Sequence, residues 1–65
     1  MWVQVKSARN LIMAEMWKEY FEGEGIPTRI LPDPGKKPYS GELASYRIYV
    51  SKEKVHVVEE VLRKL

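Results

Sequence analysis

Apolar and polar residues alternate along two short segments, and this period of two predicts β-strands at residues 2–6 and 45–50. A third apolar segment, residues 26–31, is predicted as a short strand bracketed by Pro27 and Pro32. The strand residues predicted to face the core are Val3, Val5, Ile26, Ile30, Tyr46, Ile48 and Val50. The opposite, open face of the sheet is predicted to carry Trp2, Gln4, Lys6, Arg29, Leu31, Arg47 and Tyr49.

Apolar residues at helical spacing predict two helices. The first is expected to run from an N-cap at Asn10 to Gly23, with Gly23 and Gly25 able to adopt the left-handed conformation that ends a helix. The second is expected to follow an N-cap at Ser51. The predicted core face of the first helix comprises Met13, Met16, Trp17, Tyr20 and Phe21, bordered by Ile12 and Ala14. That of the second comprises Val55, Val58, Leu62 and Leu65, bordered by Val57 and Val61.

The order βαββα predicts a single α+β domain over residues 1–65. A right-handed crossover joins the first two strands, and the third strand is expected to lie between them. The result is a ferredoxin-like βαββα sandwich with a three-stranded, mainly antiparallel sheet, two helices on one face and the final strand missing. The first strand then has a free edge, which is open to association.

Composition excludes several kinds of chemistry. The chain has no cysteine and one histidine, so disulfides and thiolate-rich zinc sites are excluded, and neither a metal nor a cofactor is expected. That histidine, His56, is predicted to lie solvated on the polar face of the last helix. No nucleophile, base and orienting group can be assembled, so we predict no catalytic residues and no enzyme activity.

Charge and hydropathy also limit the partners. A formal net charge of +2 is too small to imply nucleic acid by itself. No apolar run approaches the roughly 20 residues of a membrane helix, and no signal-peptide pattern is present. We therefore expect a cytoplasmic location and no membrane partner.

Residues 32–44 contain three prolines and two glycines, which predict an irregular loop, mobile or ordered by a partner. Within it, Gly35, Lys36 and Lys37 are candidates for an anion-binding loop that uses backbone amides and two ammonium groups. A solvated turn is the favoured interpretation, because no nucleotide-binding fingerprint is present.

The open sheet face is the most informative candidate site. Its predicted interface residues are Trp2, Gln4, Arg29, Leu31, Arg47 and Tyr49. Aromatic and arginine residues are typical of protein interfaces, which is the favoured interpretation. An ordinary exposed face is the second interpretation. The third is nucleic-acid binding, in which aromatic rings stack bases and cations meet phosphates.

Residues 14–27 resemble the helix-to-strand signature of a family of small prokaryotic signal-transducing proteins. That signature reads Ala-Glu, then an aliphatic helix, then Glu-x-x-Gly-Ile-Pro; here it reads Ala-Glu-Met-Trp-Lys-Glu-Tyr-Phe-Glu-Gly-Glu-Gly-Ile-Pro. Asn10 lies where the family has its helix cap, and Tyr49-Val50-Ser51 resembles its closing strand. In this chain Met16, Trp17, Tyr20 and Phe21 replace the usual aliphatic residues. The resemblance implies a ferredoxin-like fold related to PII-type signalling proteins, and it implies no functional residues.

Taken together, these features predict a non-enzymatic signalling or regulatory domain of unknown function that binds a protein or small ligand. A chain this short is marginally stable alone, so we expect a homo-oligomer, a dimer or trimer. Packing of open sheet faces is favoured over pairing of first-strand edges. The alternative function is weak binding of RNA or single-stranded nucleic acid on the open sheet face.

Overall fold

The sheet has three strands, with the last strand in the middle and antiparallel to both neighbours. The structure, a computed structural model, describes residues 1–33 and 45–65. Its elements are β1 (Trp2–Ala8), α1 (Leu11–Gly23), β2 (Thr28–Pro32), β3 (Tyr46–Ser51), a 3₁₀ turn (Lys52–Lys54) and α2 (Val55–Arg63). The order β1-β3-β2 confirms the predicted ferredoxin-like α+β arrangement.

The two ends of α1 are held as the sequence predicted. At the start, the side-chain Oδ1 of Asn10 accepts a hydrogen bond from the backbone N–H of Met13, at 2.8 Å. At the end, Gly25 has a φ of +83°, a conformation that side chains other than glycine's rarely adopt. The N–H of Ile26 then donates to the carbonyl of Phe21 at 3.0 Å, which closes the last turn and leads into β2.

The start of α2 differs from the prediction. Ser51 ends β3, and its side chain makes no capping hydrogen bond. A 3₁₀ turn follows, so α2 begins only at Val55. The prediction of a Ser51 cap was wrong because the backbone leaves the strand through this tighter turn, a common form of helix start that Ser51 alone does not reveal.

A bulge in β1 changes which face its residues occupy. Gln4 pairs with Tyr49 and Lys6 pairs with Ile48, so Val5 is one extra residue in β1. Since Ile48 is fully buried under the helices, Lys6 lies on the helix side of the sheet. The prediction that Lys6 lies on the open face was wrong, because strict alternation does not anticipate an extra residue.

The core lies between the sheet and the two helices. Its buried apolar residues are Ala8, Ala14, Phe21, Ile26, Ile48, Val50, Val58 and Val61. Thr28 is the buried polar residue within residues 1–33 and 45–65, and its hydroxyl donates to the carbonyl of Ile26 at 2.9 Å. The predicted strand pattern therefore holds for the buried positions of β3.

The predicted helix faces hold only in part. Phe21 is fully buried, but Met13 is exposed and Met16 is 59% exposed. Leu65 lies beyond the end of α2 and is 74% exposed, so its assignment to the core was also wrong. The apolar stripe of α1 covers about half the helix circumference, and the sheet covers only the part centred on Ala14 and Phe21.

The uncovered part of that stripe stays open because α2 does not pack closely on it. α1 packs mainly against β2 and β3, whereas α2 packs against β1, and the two helix backbones make few close approaches. α2 is also short, ending at Arg63. An apolar groove therefore remains between α1 and the C-terminal Leu65, on the side of the sheet opposite the open face.

Candidate protein interface on the open sheet face

The three strands bring the predicted open-face residues together in rows across the sheet. The rows are Gln4–Tyr49–Arg29 and Ser7–Arg47–Leu31. Trp2 lies at the end of β1 beside the first row, 41% exposed, and Leu31 is exposed on β2. With the exception of Lys6, the residues predicted for this face therefore share one continuous surface.

Arg29 and Trp2 form a cation–π pair on this surface. The guanidinium carbon of Arg29 lies 4.8 Å from the centroid of the Trp2 ring. Arg29 belongs to β2 and Trp2 to β1, so the arginine side chain crosses over β3 to reach the ring. The contact ties both outer strands together and places the cation against an aromatic face, where charge is stabilised.

Arg47 is paired with a carboxylate that the sequence analysis did not assign to the site. Its Nη2 lies 3.3 Å from Oδ1 of Asp33, and both side chains are partly exposed. A side-chain hydrogen bond with Tyr49 and the charge of Asp33 raise the pKa of Arg47 above its ordinary value. Arg47 is therefore held in its charged form by neighbours on its own face.

Asp33 reaches this position because the β2–β3 ladder continues by one bond beyond β2. The N–H of Asp33 donates to the carbonyl of Ser45 at 2.9 Å, which holds the residue beside β3. The sequence placed Asp33 in an irregular loop, and the only available signal was its position directly after Pro32. A carboxylate one residue past a strand end is well placed to meet a cation on the neighbouring strand.

Both outer edges of the sheet carry features that oppose pairing with another strand. β1 has its bulge at Val5 and the inward-pointing charge of Lys6, two features that protect free strand edges. β2 is short, ends in Pro32 and directly follows Pro27. Edge-to-edge association is therefore disfavoured at either side of the described sheet.

The groove on the helix side is the second uncovered surface. Its lining residues are Met13, Met16, Trp17, Tyr20 and Leu65, and its volume is about 280 Å³. Nearly all of the lining is apolar. The ammonium group of Lys6 lies 4.5 Å from the centroid of the Trp17 ring, so a cation stands next to one wall.

The other candidate residues do not contribute to either of these two surfaces in the part of the chain that the structure describes. Gly35, Lys36 and Lys37 fall outside the described residues, as does most of the predicted loop 32–44. His56 is exposed on α2. In the part of the chain that the structure describes, no group of three metal-binding side chains comes together. None of the helices described there has the length and apolar character needed to cross a membrane.

Comparison of the chain with protein-family models, with curated proteins and with solved structures gives no match. The resemblance of residues 14–27 to a signal-transducing family thus stays a prediction.

Proposed function

We propose that this chain is a non-enzymatic signalling or regulatory domain of the cytoplasm that self-associates, as a dimer or trimer, through its open sheet face. In this proposal the domain acts by binding a protein or a small ligand, and it does so as a self-associated dimer or trimer. The observation that supports the proposal most is that the described cations of the open face already have partners: Arg29 on Trp2, and Arg47 with Asp33.

Pairing of the cations matters because an interface must remove them from water. Burying an unpaired charge is costly, and three unpaired cations would oppose face-to-face packing. Lys6 does not lie on this face, and Arg47 keeps its carboxylate within 3.3 Å. The aromatic groups Trp2 and Tyr49 can then supply apolar contact area at a reduced electrostatic cost.

Face packing also fits the state of the strand edges. Edge pairing would add backbone hydrogen bonds along β1, but the bulge at Val5 and the inward Lys6 disfavour a straight, accessible edge. The open face needs no such edge, since its contacts come from side chains. Face packing would also cover the exposed side chains of Trp2 and Leu31 directly.

Nucleic-acid binding on the same face is the alternative. Two aromatic residues, Trp2 and Tyr49, share a surface with Arg29 and Arg47, as in sheets that stack bases. The same pairing that favours a protein interface counts against phosphate contacts, because Asp33 offsets the charge of Arg47. A single-stranded oligonucleotide titration separates the two: phosphate contacts make affinity fall steeply with salt.

Sedimentation equilibrium over a range of protein concentrations tests the proposal. We expect the unmodified chain to associate and Trp2→Ala to weaken association by about thirtyfold, the effect of losing an interface hot spot. Met16→Ala is the matched control, since Met16 is exposed on the opposite side of the sheet. A chain that stays monomeric at high micromolar concentration, or equal effects of both variants, would contradict the proposal.

A further inference from the structure

The groove between α1 and Leu65 is bounded by side chains typical of sites for flexible apolar ligands. Two methionines, Met13 and Met16, line it together with the aromatic rings of Trp17 and Tyr20 and the side chain of Leu65. Methionine side chains are unbranched and adapt to ligands of irregular shape. A volume of about 280 Å³ is just below the roughly 300–1,000 Å³ typical of pockets for drug-sized ligands, which suits a small ligand.

Lys6 places a cation beside one wall of this apolar groove. It is only partly exposed, and its ammonium lies 4.5 Å from the ring centroid of Trp17, which also lines the groove. Neither of the ion pairs formed within the described residues includes Lys6. A half-buried ammonium with three donors and no carboxylate partner in this part of the chain is complementary to an anion.

The geometry points to a ligand site for a single-chain carboxylate amphiphile, a medium-chain fatty acid, with its alkyl chain in the groove and its carboxylate on Lys6. Met13 and Tyr20 are seven positions apart on α1, so at about 1.5 Å per residue the apolar wall is roughly 10 Å long. That length matches the alkyl chain of decanoate. The site lies on the helix side of the sheet and does not depend on the proposed association through the open face.

Two other occupants fit the groove less well. A partner helix needs an extended apolar track with anchors over several turns, whereas this groove is small, with an apolar wall of about two helical turns. A second copy would bring its own Lys6 to the same place in a symmetric interface and set two ammonium groups near each other. A carboxylate amphiphile satisfies both the apolar walls and the cation.

Methyl NMR of the whole chain, labelled at methionine, tests the site with decanoate as the probe, below its micelle-forming concentration. The chain has three methionines, of which Met13 and Met16 line the groove and Met1 does not. We expect saturable shifts of the Met13 and Met16 methyl signals with the Met1 signal unchanged. Octanoate has two methylenes fewer and should bind about fifteenfold more weakly, because each buried methylene contributes about a fourfold change in affinity.

The charge of Lys6 is tested with matched variants and a neutral ligand. Lys6→Gln should weaken decanoate binding by about tenfold, the loss of one charge-assisted contact, while Lys6→Arg should largely retain it. Decan-1-ol should bind the unmodified chain about as weakly as decanoate binds Lys6→Gln. Arg29→Gln, a cation removed from the opposite sheet face, is the control and should leave decanoate binding unchanged.

Three results would overturn the assignment. Equal binding of decanoate to the unmodified chain and to Lys6→Gln would show that the carboxylate of the ligand does not contact Lys6. Parallel shifts of all three methyl signals would mean nonspecific, detergent-like binding. If dilution alone, without decanoate, shifts the methyl signals of Met13 and Met16, then a second copy of the chain occupies the groove. Trp2→Ala should bind decanoate normally, so failure of the open-face proposal and failure of this site are distinguishable.

Discussion

The two uncovered surfaces of this domain lie on opposite sides of its sheet and differ in how their cations are satisfied. On the open face, Arg29 stacks on Trp2 and Arg47 meets Asp33. Beside the groove on α1, Lys6 stacks on Trp17 but takes part in none of the ion pairs of the described chain. A surface with satisfied cations can be buried against a like surface, whereas an unneutralised cation beside apolar walls favours an anionic ligand.

β1 contributes to both surfaces, and its bulge marks the change from one to the other. Before the bulge, Trp2 and Gln4 face the open side in regular alternation. After it, Lys6 faces the helices, so the open face has one cation fewer and the groove has one cation more than alternation predicts. The contrast between the two surfaces therefore depends on one extra residue, Val5.

The largest expected effect comes from Phe21, because it lies between both surfaces. Phe21 is fully buried, and Phe21→Ala should lower the free energy of unfolding by about 3–5 kcal/mol through the cavity that it leaves. The total stability of such a domain is of order 5 kcal/mol, so a loss of this size unfolds much of the protein. Both surfaces are then lost together. Chemical denaturation measures it, and a loss below about 1 kcal/mol would show that α1 does not pack as described.

Asp33→Asn should affect the open face alone. The substitution keeps the shape of the side chain and removes the charge that offsets Arg47. We expect self-association to weaken by about tenfold, since Arg47 would then be buried without a carboxylate. Decanoate binding should not change. Unaltered association by sedimentation equilibrium would mean that Arg47 stays in water when copies associate.

Asn10→Ala should affect the groove more than the open face. Loss of the 2.8 Å bond to the Met13 N–H should lower the free energy of unfolding by about 1 kcal/mol and loosen the first turn of α1. Ser51→Ala is the matched control, because Ser51 makes no capping bond and should cost much less. Thermal unfolding compares the two, and equal losses would argue against the Asn10 cap.

Met16→Ser should have the smallest effect on stability. Met16 is 59% exposed, so the free energy of unfolding should change by no more than about 0.5 kcal/mol. Decanoate affinity should nevertheless fall, because the residue forms part of the groove wall. A large loss of stability in chemical denaturation would mean that the groove is packed rather than open.

The fold could be predicted from the sequence because its local signals agree with one another. Alternation in β3, the Asn10 cap and the glycine at position 25 each specify a boundary or a face, and the structure bears them out. The parallel strands β1 and β2 are then separated by β3, which pairs antiparallel with both, as predicted. Agreement of this kind is what allows a short chain to specify one fold.

The site could be predicted only in part, for identifiable physical reasons. Alternation placed Arg29, Arg47 and Tyr49 correctly on the open face, but it misplaced Lys6 because a bulge leaves no mark in the pattern. The wide apolar stripe of α1 did not show which half the sheet would cover. That choice depends on where α2 lies, which is a tertiary property and left Met16 exposed.

The two tryptophans offer the most direct test of the central claim, because each reports on one surface. Trp2 lies on the open face and Trp17 lines the groove, and the chain contains no other tryptophan. Fluorine NMR of 5-fluorotryptophan-labelled protein, assigned with Trp2→Phe, follows both signals during dilution and during decanoate titration. We predict that dilution moves only the Trp2 signal and decanoate only the Trp17 signal. Movement of Trp17 on dilution, or of both signals with decanoate, would contradict the account of two independent surfaces.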